Sequence, residues 1–237
     1  ICTISLSACG NQSANFEGTL LFHNYTSYES WDGQLFTVDL ASKKLTNLTA
    51  RWMSVKHTIN GSFSSDGQYI TFMGSQKDIE DWDVFVTHWN GSNWEEPVNL
   101  TGPNGKRDED PKFSPITNKI IYKEDGVVAT ISLTGKPEYF APGSMPYFLP
   151  DGSSYLYEQA GDIYLSHSNQ ISKMYSGDGL KSYYPIALNQ KEFIYTRVQN
   201  SKHDGIMLGF TNGSKSIPYF FNNDQWDSSD PFPYQDG

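Results

Sequence analysis

The sequence predicts an all-β fold, a β-propeller of four-stranded antiparallel blades, from its composition, an internal repeat and the spacing of that repeat. Aromatic residues make up 15% of the 237-residue chain and charged residues 19%, with 20 Gly and 12 Pro. Strand formers and turn formers therefore outweigh the Ala, Glu, Lys and Leu mixture of helical proteins. Four segments align: "GSFSSDGQYITF" (61–72), "PKFSPITNKIIY" (111–122), "PYFLPDGSSYLY" (146–157) and "PIALNQKEFIY" (185–195). Each reads as a short strand, a polar turn and a second strand ending on an aromatic residue. A third strand follows each one, beginning at 83 ("DVFVTH"), 127 ("VVATISL"), 162 ("DIYLSH") and 205 ("GIMLGF"), and a weaker fourth strand comes next, as in "PVNLT" from 97. Taking Phe63, Phe113, Phe148, Ala187 and Pro233 as equivalent gives spacings of 50, 35, 39 and 46, close to the roughly 40–50 residues of a propeller blade.

The chain begins "ICTISLSACGNQS". The apolar run ending in Leu6-Ser7-Ala8-Cys9 resembles the lipobox of bacterial lipoprotein signal peptides. That resemblance implies cleavage before Cys9, an acylated Cys9, and residues 1–16 as signal remnant and tether. Cys2 would be lost and Cys9 blocked, so no thiol would remain for a disulfide or a metal. Two or three acyl chains would then hold the protein on a bilayer. The propeller domain is expected over 17–237.

Residues 18–49 supply a second, third and fourth strand with no first. The C-terminal "DPFPYQDG" supplies a first strand with no second. Joined, they complete a fifth blade and leave no sheet edge open. The alternative is a fragment of a propeller with six to eight blades.

The segments "DEDPKFSP", "SMPYFLPDG" and "DSSDPFPYQDG" resemble the D-x-x-P-x-F/W-S-P-D-G signature of TolB-like propellers, also called PD40 or WD40-like repeats. Asn60-Gly61 replaces Asp-Pro in one copy, Ile116-Thr117 replaces Asp-Gly in another, and Leu188-Asn189-Gln190 has lost the turn signature in a third. The resemblance implies a cell-envelope scaffold on whose disc partners dock. Such a motif specifies a fold better than a function.

In a blade whose first strand lines the channel, the loop into strand one and the loop between strands two and three share a face. That face is expected to carry the long loops 24–33, 74–83 and 198–205, and with them Tyr28, Trp31, Trp82 and Trp226 beside Asp110 and Asp230. Aromatic rings next to carboxylates can stack on sugars or cage cations. Tyr28, Trp31, Trp82, Asp110, Trp226 and Asp230 are therefore the candidate binding residues. The aromatics ending strands two and three (Phe22, Phe72, Tyr122, Tyr157, Tyr195, Phe85, Tyr164) are expected to fill the space between blades. Trp89 and Trp94, in "HWNGSNW", fall on the opposite face and are expected to pack over a blade edge.

The net charge of −10 argues against nucleic acid, whose phosphates need clustered cations. There is no G-x-S-x-G, H-E-x-x-H, C-x-x-C or P-loop signature. His203-Asp204 could ligate a metal, although a surface His-Asp pair is more often simply solvated. No cofactor is implied beyond a cation at the channel mouth. An enzyme would have to use channel-mouth carboxylates, with Asp83, Asp110 and Asp230 as the set for glycoside hydrolysis or lyase chemistry. The preferred expectation is a monomeric, non-enzymatic module. It would be lipid-anchored at the bacterial cell envelope, at the outer membrane or the periplasmic or extracellular face, and bind an envelope protein or a glycan.

Overall fold

A computed structural model describes residues 17–77, 79–168, 170–174, 180–198, 203–220 and 228–232. It is a five-bladed β-propeller. The first blade holds β1 (Thr19–Asn24), β2 (Gln34–Asp39) and β3 (Leu45–Asn47), the second to fourth strands expected there. The second holds β4 (Val55–Phe63), β5 (Tyr69–Gln76), β6 (Asp83–His88) and β7 (Val98–Asn99). The third runs β8 (Asp108–Phe113), β9 (Lys119–Glu124), β10 (Val127–Ser132) and β11 (Glu138–Pro142). The fourth runs β12 (Ser144–Phe148), β13 (Tyr155–Gln159), β14 (Asp162–His167) and β15 (Gln170–Lys173). The fifth runs β16 (Ser182–Ala187), β17 (Glu192–Val198), β18 (Asp204–Phe210) and β19 (Ile217–Phe220). Phe63, Phe113, Phe148 and Ala187, equated from sequence, each end an inner strand. Pro233 lies outside the described residues.

Turn chemistry sets the hairpins. The Asp66 carboxylate accepts from the Ser64 hydroxyl and the Gln68 amide, and Gly67 takes the left-handed conformation. Asp151 repeats this with Ser153 and Ser154 ahead of β13. Asn189, in the turn that had lost its signature, still accepts from the Lys191 and Glu192 amides. Between strands two and three, blades three and four close with two-residue turns, Asp125-Gly126 and Ala160-Gly161, whose φ values are all positive, as a tight hairpin of primed type requires. Blades one and two carry longer connections on that face, between Asn24 and Gln34 and between Gln76 and Asp83.

Apolar residues fill the gaps between blades. Leu35, Leu48, Trp52 and Val55 meet Ile70, Phe72 and Phe85 between blades one and two. Val84 and Val86 meet Phe113, Ile120 and Tyr122 between two and three. Ile121 and Val128 meet Phe148 and Tyr157 between three and four, and Leu156 and Ile163 meet Phe193 and Tyr195 between four and five. Phe72, Tyr122, Tyr157 and Tyr195 are fully buried as expected, whereas Phe22 is 38% exposed and stacks on Phe36 at 5.5 Å. Phe22 belongs to the blade that abuts the chain termini, and it borders the central cavity instead of a neighbouring sheet.

A clasp recurs where the first two blades hand over to the next. Asn47-Leu48-Thr49 and Asn99-Leu100-Thr101 are the same tripeptide. The Thr hydroxyl accepts from the amide of Leu35 in one and Val84 in the other. The Asn side chain donates to Gln34 in the first and to Asp83 in the second. The Thr hydroxyl then reaches the next inner strand, at Thr58 in one case and Asp108 in the other. Both tripeptides fit the glycosylation sequon, yet their Asn and Thr side chains are occupied in fastening blade to blade.

Candidate functional site

Each inner strand is broken by a β-bulge at the same place. Asn60-Gly61 opposes Phe72, Asp110-Pro111 opposes Tyr122, Met145-Pro146 opposes Tyr157, and Tyr184-Pro185 opposes Tyr195. The first residue of each bulge, and Asp230 in the C-terminal segment, has φ between 50 and 56°. A bulge leaves one residue out of the ladder, so Pro, which has no N–H to donate, fits its second position. This gives the Asp-Pro of the repeat signature a physical meaning. Where Gly61 stands instead, a Cβ would lie 2.8 Å from Leu21 and 2.9 Å from Leu35.

The bulges turn their first residues toward the axis. Asn60, Asp110, Met145, Tyr184 and Asp230 all line one cavity of about 190 Å³, together with His23, Lys112 and Phe232. Asn60 donates through Nδ2 to Asp110 at 2.8 Å, and its amide reaches His23 Nδ1 at 3.3 Å. The Asp230 amide donates to Thr196 at 3.1 Å, which fixes the C-terminal segment against β17. Burial raises the Asp110 carboxyl, opposed by the ammonium groups of Lys112 and Lys123. Desolvation, then the charge of Asp110, raises Asp230, although part of that residue faces solvent. Burial lowers Lys112, with Asp110 pulling the other way, and burial lowers His23, reinforced by Lys112. Two carboxylates and one ammonium thus share a small cavity whose walls are Leu, Pro, Met and Tyr.

Other expected site residues fall elsewhere. Trp82 is only 3% exposed, and Trp31 stacks on it at 4.8 Å. The two rings close over His57, 5.3 Å from Trp31 and 4.6 Å from Trp82, so Trp82 is a packing residue and not a free ring on the rim. The long loops fold inward there because Gly33 donates its amide to His57 Nδ1 at 2.5 Å. Asp32, on the same loop, accepts from the Thr26 amide at 3.0 Å. The Tyr28 side chain, Trp226 and Cys9 lie outside the described residues.

Asp83 does not join Asp110 and Asp230. It is fully buried, accepts from Asn99 at 2.7 Å, and belongs with Asp108 and Thr101 in the second clasp. Burial raises Asp83 to about 6 and Asp108 to about 7. The three-acid set expected for glycosidic chemistry is therefore not assembled at the channel. Among the described residues no group of three or more His, Cys, Asp or Glu side chains could hold a metal ion.

Lys112 is a channel residue that sequence reasoning missed. Lys112 stands two positions after Asp110 in "DPKF", just past the bulge, and that closeness in sequence is the signal that would have found it. Trp89 and Trp94, expected over a blade edge, line a cleft between blades one and two.

No family model matches the chain, and no curated protein matches its sequence. Solved structures do match in fold. A putative TolB from Agrobacterium tumefaciens superposes with a TM-score of 0.67 at 11% identity, over 80% of this chain and 74% of that one. TolB from Acinetobacter baumannii gives 0.66 at 14%, over 86% of this chain and 52% of that one. A puromycin-hydrolyzing peptidase from Mycobacterium tuberculosis gives 0.60 at 10%, over 79% of this chain but only 33% of the enzyme. The chain thus has a TolB-like propeller fold, and at these identities the likeness concerns the fold alone.

Proposed function

We propose that this propeller is a non-enzymatic binding module of the bacterial cell envelope. Its site is the channel mouth, and its partner is a protein that inserts a cationic side chain or an amino terminus between Asp110 and Asp230. The observation that carries this reading is the convergence of five residues with left-handed φ, four of them at β-bulges, on one cavity. Its volume suits a single side chain, and its carboxylates outnumber its ammonium groups. A rigid disc that carries such a group of side chains is preorganised, so little ordering entropy opposes docking. Blades one and two carry the longer loops on this face, while blades three and four close with two-residue turns that leave it open on their side. The resemblance to TolB-like propellers supports an envelope location, and the Cys9 lipobox supports a lipid anchor.

The test is selection of short peptides from a random library on the chain, followed by affinity measurement on Asp110→Asn and Asp230→Asn. Enriched peptides should carry Lys, Arg or a free amino terminus. Each neutralisation should weaken them about tenfold, the scale of one charge-assisted hydrogen bond. Peptides that bind the double variant undiminished would place the site elsewhere.

A further inference from the structure

The cleft between blades one and two opens beside the hairpin turns, away from the long loops, and has a volume of about 640 Å³. That lies within the roughly 300–1,000 Å³ of small-molecule sites. On its blade-two side, Trp89 and Trp94 are half-buried, with ring centroids 5.4 Å apart and planes tilted 55°. Phe63 lies 6.0 Å beyond Trp94. Gln68, Ser92 and Asn93 are exposed on the same wall. On the blade-one side stand Thr19, Thr46, Asp39, Lys44 and Arg51, and Arg51 reaches across to the Asn93 side-chain oxygen at 3.2 Å.

Trp52 forms part of the lining, stacked on Phe72 at 5.1 Å and 7% exposed. Its indole Nε1–H has no hydrogen-bond acceptor among the described residues. A buried indole N–H ordinarily finds a partner.

We infer that this cleft is a carbohydrate-binding site for one or two neutral pyranose rings. Three features select that chemistry. Aromatic rings offer faces for the C–H side of a sugar. Hydroxyl and amide groups of Thr, Ser, Asn and Gln surround them and can both donate and accept, as hydroxyl-rich ring edges need. The ionic side chains include both signs, Asp39 against Lys44 and Arg51, and Asp39 is already engaged by the Ser42 amide and hydroxyl. A multiply charged ligand therefore has no matching field here. The site is independent of the channel, with which it shares no lining residue.

The experiment is saturation-transfer NMR and tryptophan fluorescence on the full chain. The probes are methyl glycosides of glucose, galactose, mannose and N-acetylglucosamine, together with maltose, cellobiose and chitobiose. At least one should bind saturably in the millimolar range. Trp89→Ala should weaken it about tenfold, by loss of the stacking surface. Asn93→Ala should weaken it about fivefold, by loss of one hydrogen bond. Asn93 is exposed, so its variant tests the site without threatening the fold, and circular dichroism checks the Trp89 variant. Asp110→Asn, in the channel, should leave sugar binding unchanged. The inference is overturned if no probe saturates, if binding survives both cleft variants, or if it follows Asp110.

Discussion

Replacing Asp108 by Asn should stabilise the protein at neutral and alkaline pH and do nothing at acid pH. Asp108 is fully buried on β8, and burial raises its carboxyl to about 7. Around it lie Asp83 on β6, Glu124 on β9, and the Thr101 and Asn104 side chains of the intervening loop. Lys106 is taken up by Glu124, which also accepts from Tyr139 at 2.9 Å. The folded state thus holds a proton on Asp108 that the unfolded chain, with a carboxyl near 3.8, has already released. For a raised carboxyl the stabilising contribution is present below the unfolded value and is lost as pH rises through the folded one. The shift of about 3 pK units at 1.36 kcal/mol each costs about 4 kcal/mol above pH 8. That shift already includes the bonds from Thr101 and Asn104; Asn removes the cost, keeps one oxygen to accept from them, and gives up about 1 kcal/mol for the one neutral hydrogen bond lost. It also removes the repulsion between the Asp108 and Asp83 charges. The equivalent clasp in the preceding blade works with a neutral residue, Thr58, bonded to Thr49 at 2.5 Å. The expected gain is therefore about 3 kcal/mol at pH 8.5, roughly 6–12 °C in Tm for a domain of this size, shrinking to nothing by pH 4. Urea unfolding of both proteins at half-unit pH steps measures it. A variant less stable than wild type at pH 8.5, or a difference that does not change with pH, refutes the account of Asp108 as a costly buried acid.

Three other outcomes follow from the same geometry. Gly33→Ala places a methyl 2.6 Å from Ile59 and 2.7 Å from the His57 ring, so it should cost about 1–3 kcal/mol in thermal unfolding; a neutral result would mean the loop moves freely over His57. Burial lowers His57 to about 4, so the ring stays neutral in the folded state. Its contribution to stability is complete above about 6.5 and lost as pH falls toward 4, and an NMR midpoint of 6 or higher for its ring carbons contradicts that. Asp151→Ala removes acceptors for the Ser153 and Ser154 amides at 2.8 and 2.7 Å, and should cost about 1–2 kcal/mol by denaturant unfolding.

The repeat was legible because it is written in local chemistry. Strand alternation, Asp-Gly and Asn turns and a closing aromatic each act within about twelve residues, and even the eroded copy at Asn189 keeps its side-chain acceptor. The equivalence of Asn60, Asp110, Met145, Tyr184 and Asp230 was also readable, since the residue after each is the Pro or Gly that a bulge accepts. What could not be read was which loops fold inward. Trp31 and Trp82 sit in polar sequence that suggests exposure, and only the long-range contact from Gly33 to His57, 24 positions apart, draws them into a stack. Asp83 was misplaced for a related reason. Its strand begins on the long-loop face, but its side chain points along the sheet to Asn99 and not toward the axis.

The same backbone feature occurs five times around the channel, while the side chains there are of four kinds. That division explains how a symmetric scaffold acquires a polarised site. A left-handed φ costs an ordinary residue about 1–3 kcal/mol, and only the surrounding sheet sustains it. Asn and Asp tolerate that conformation through their short polar side chains, but Met145 and Tyr184 gain nothing comparable from it. If conformation alone chose the residues, Gly, Asn or Asp would stand at all five positions. Met and Tyr at two of them, beside Asp110 and Asp230, put apolar and aromatic surface on one arc of the cavity and acid on the other. Such an arrangement suits a ligand with a charged end and an apolar shaft, which is the shape of a lysine or arginine side chain. Met145→Asn is the variant that separates the two explanations. It should leave the fold as stable or more stable in urea while weakening any channel-binding peptide severalfold, whereas a purely structural role for the position predicts no change in affinity.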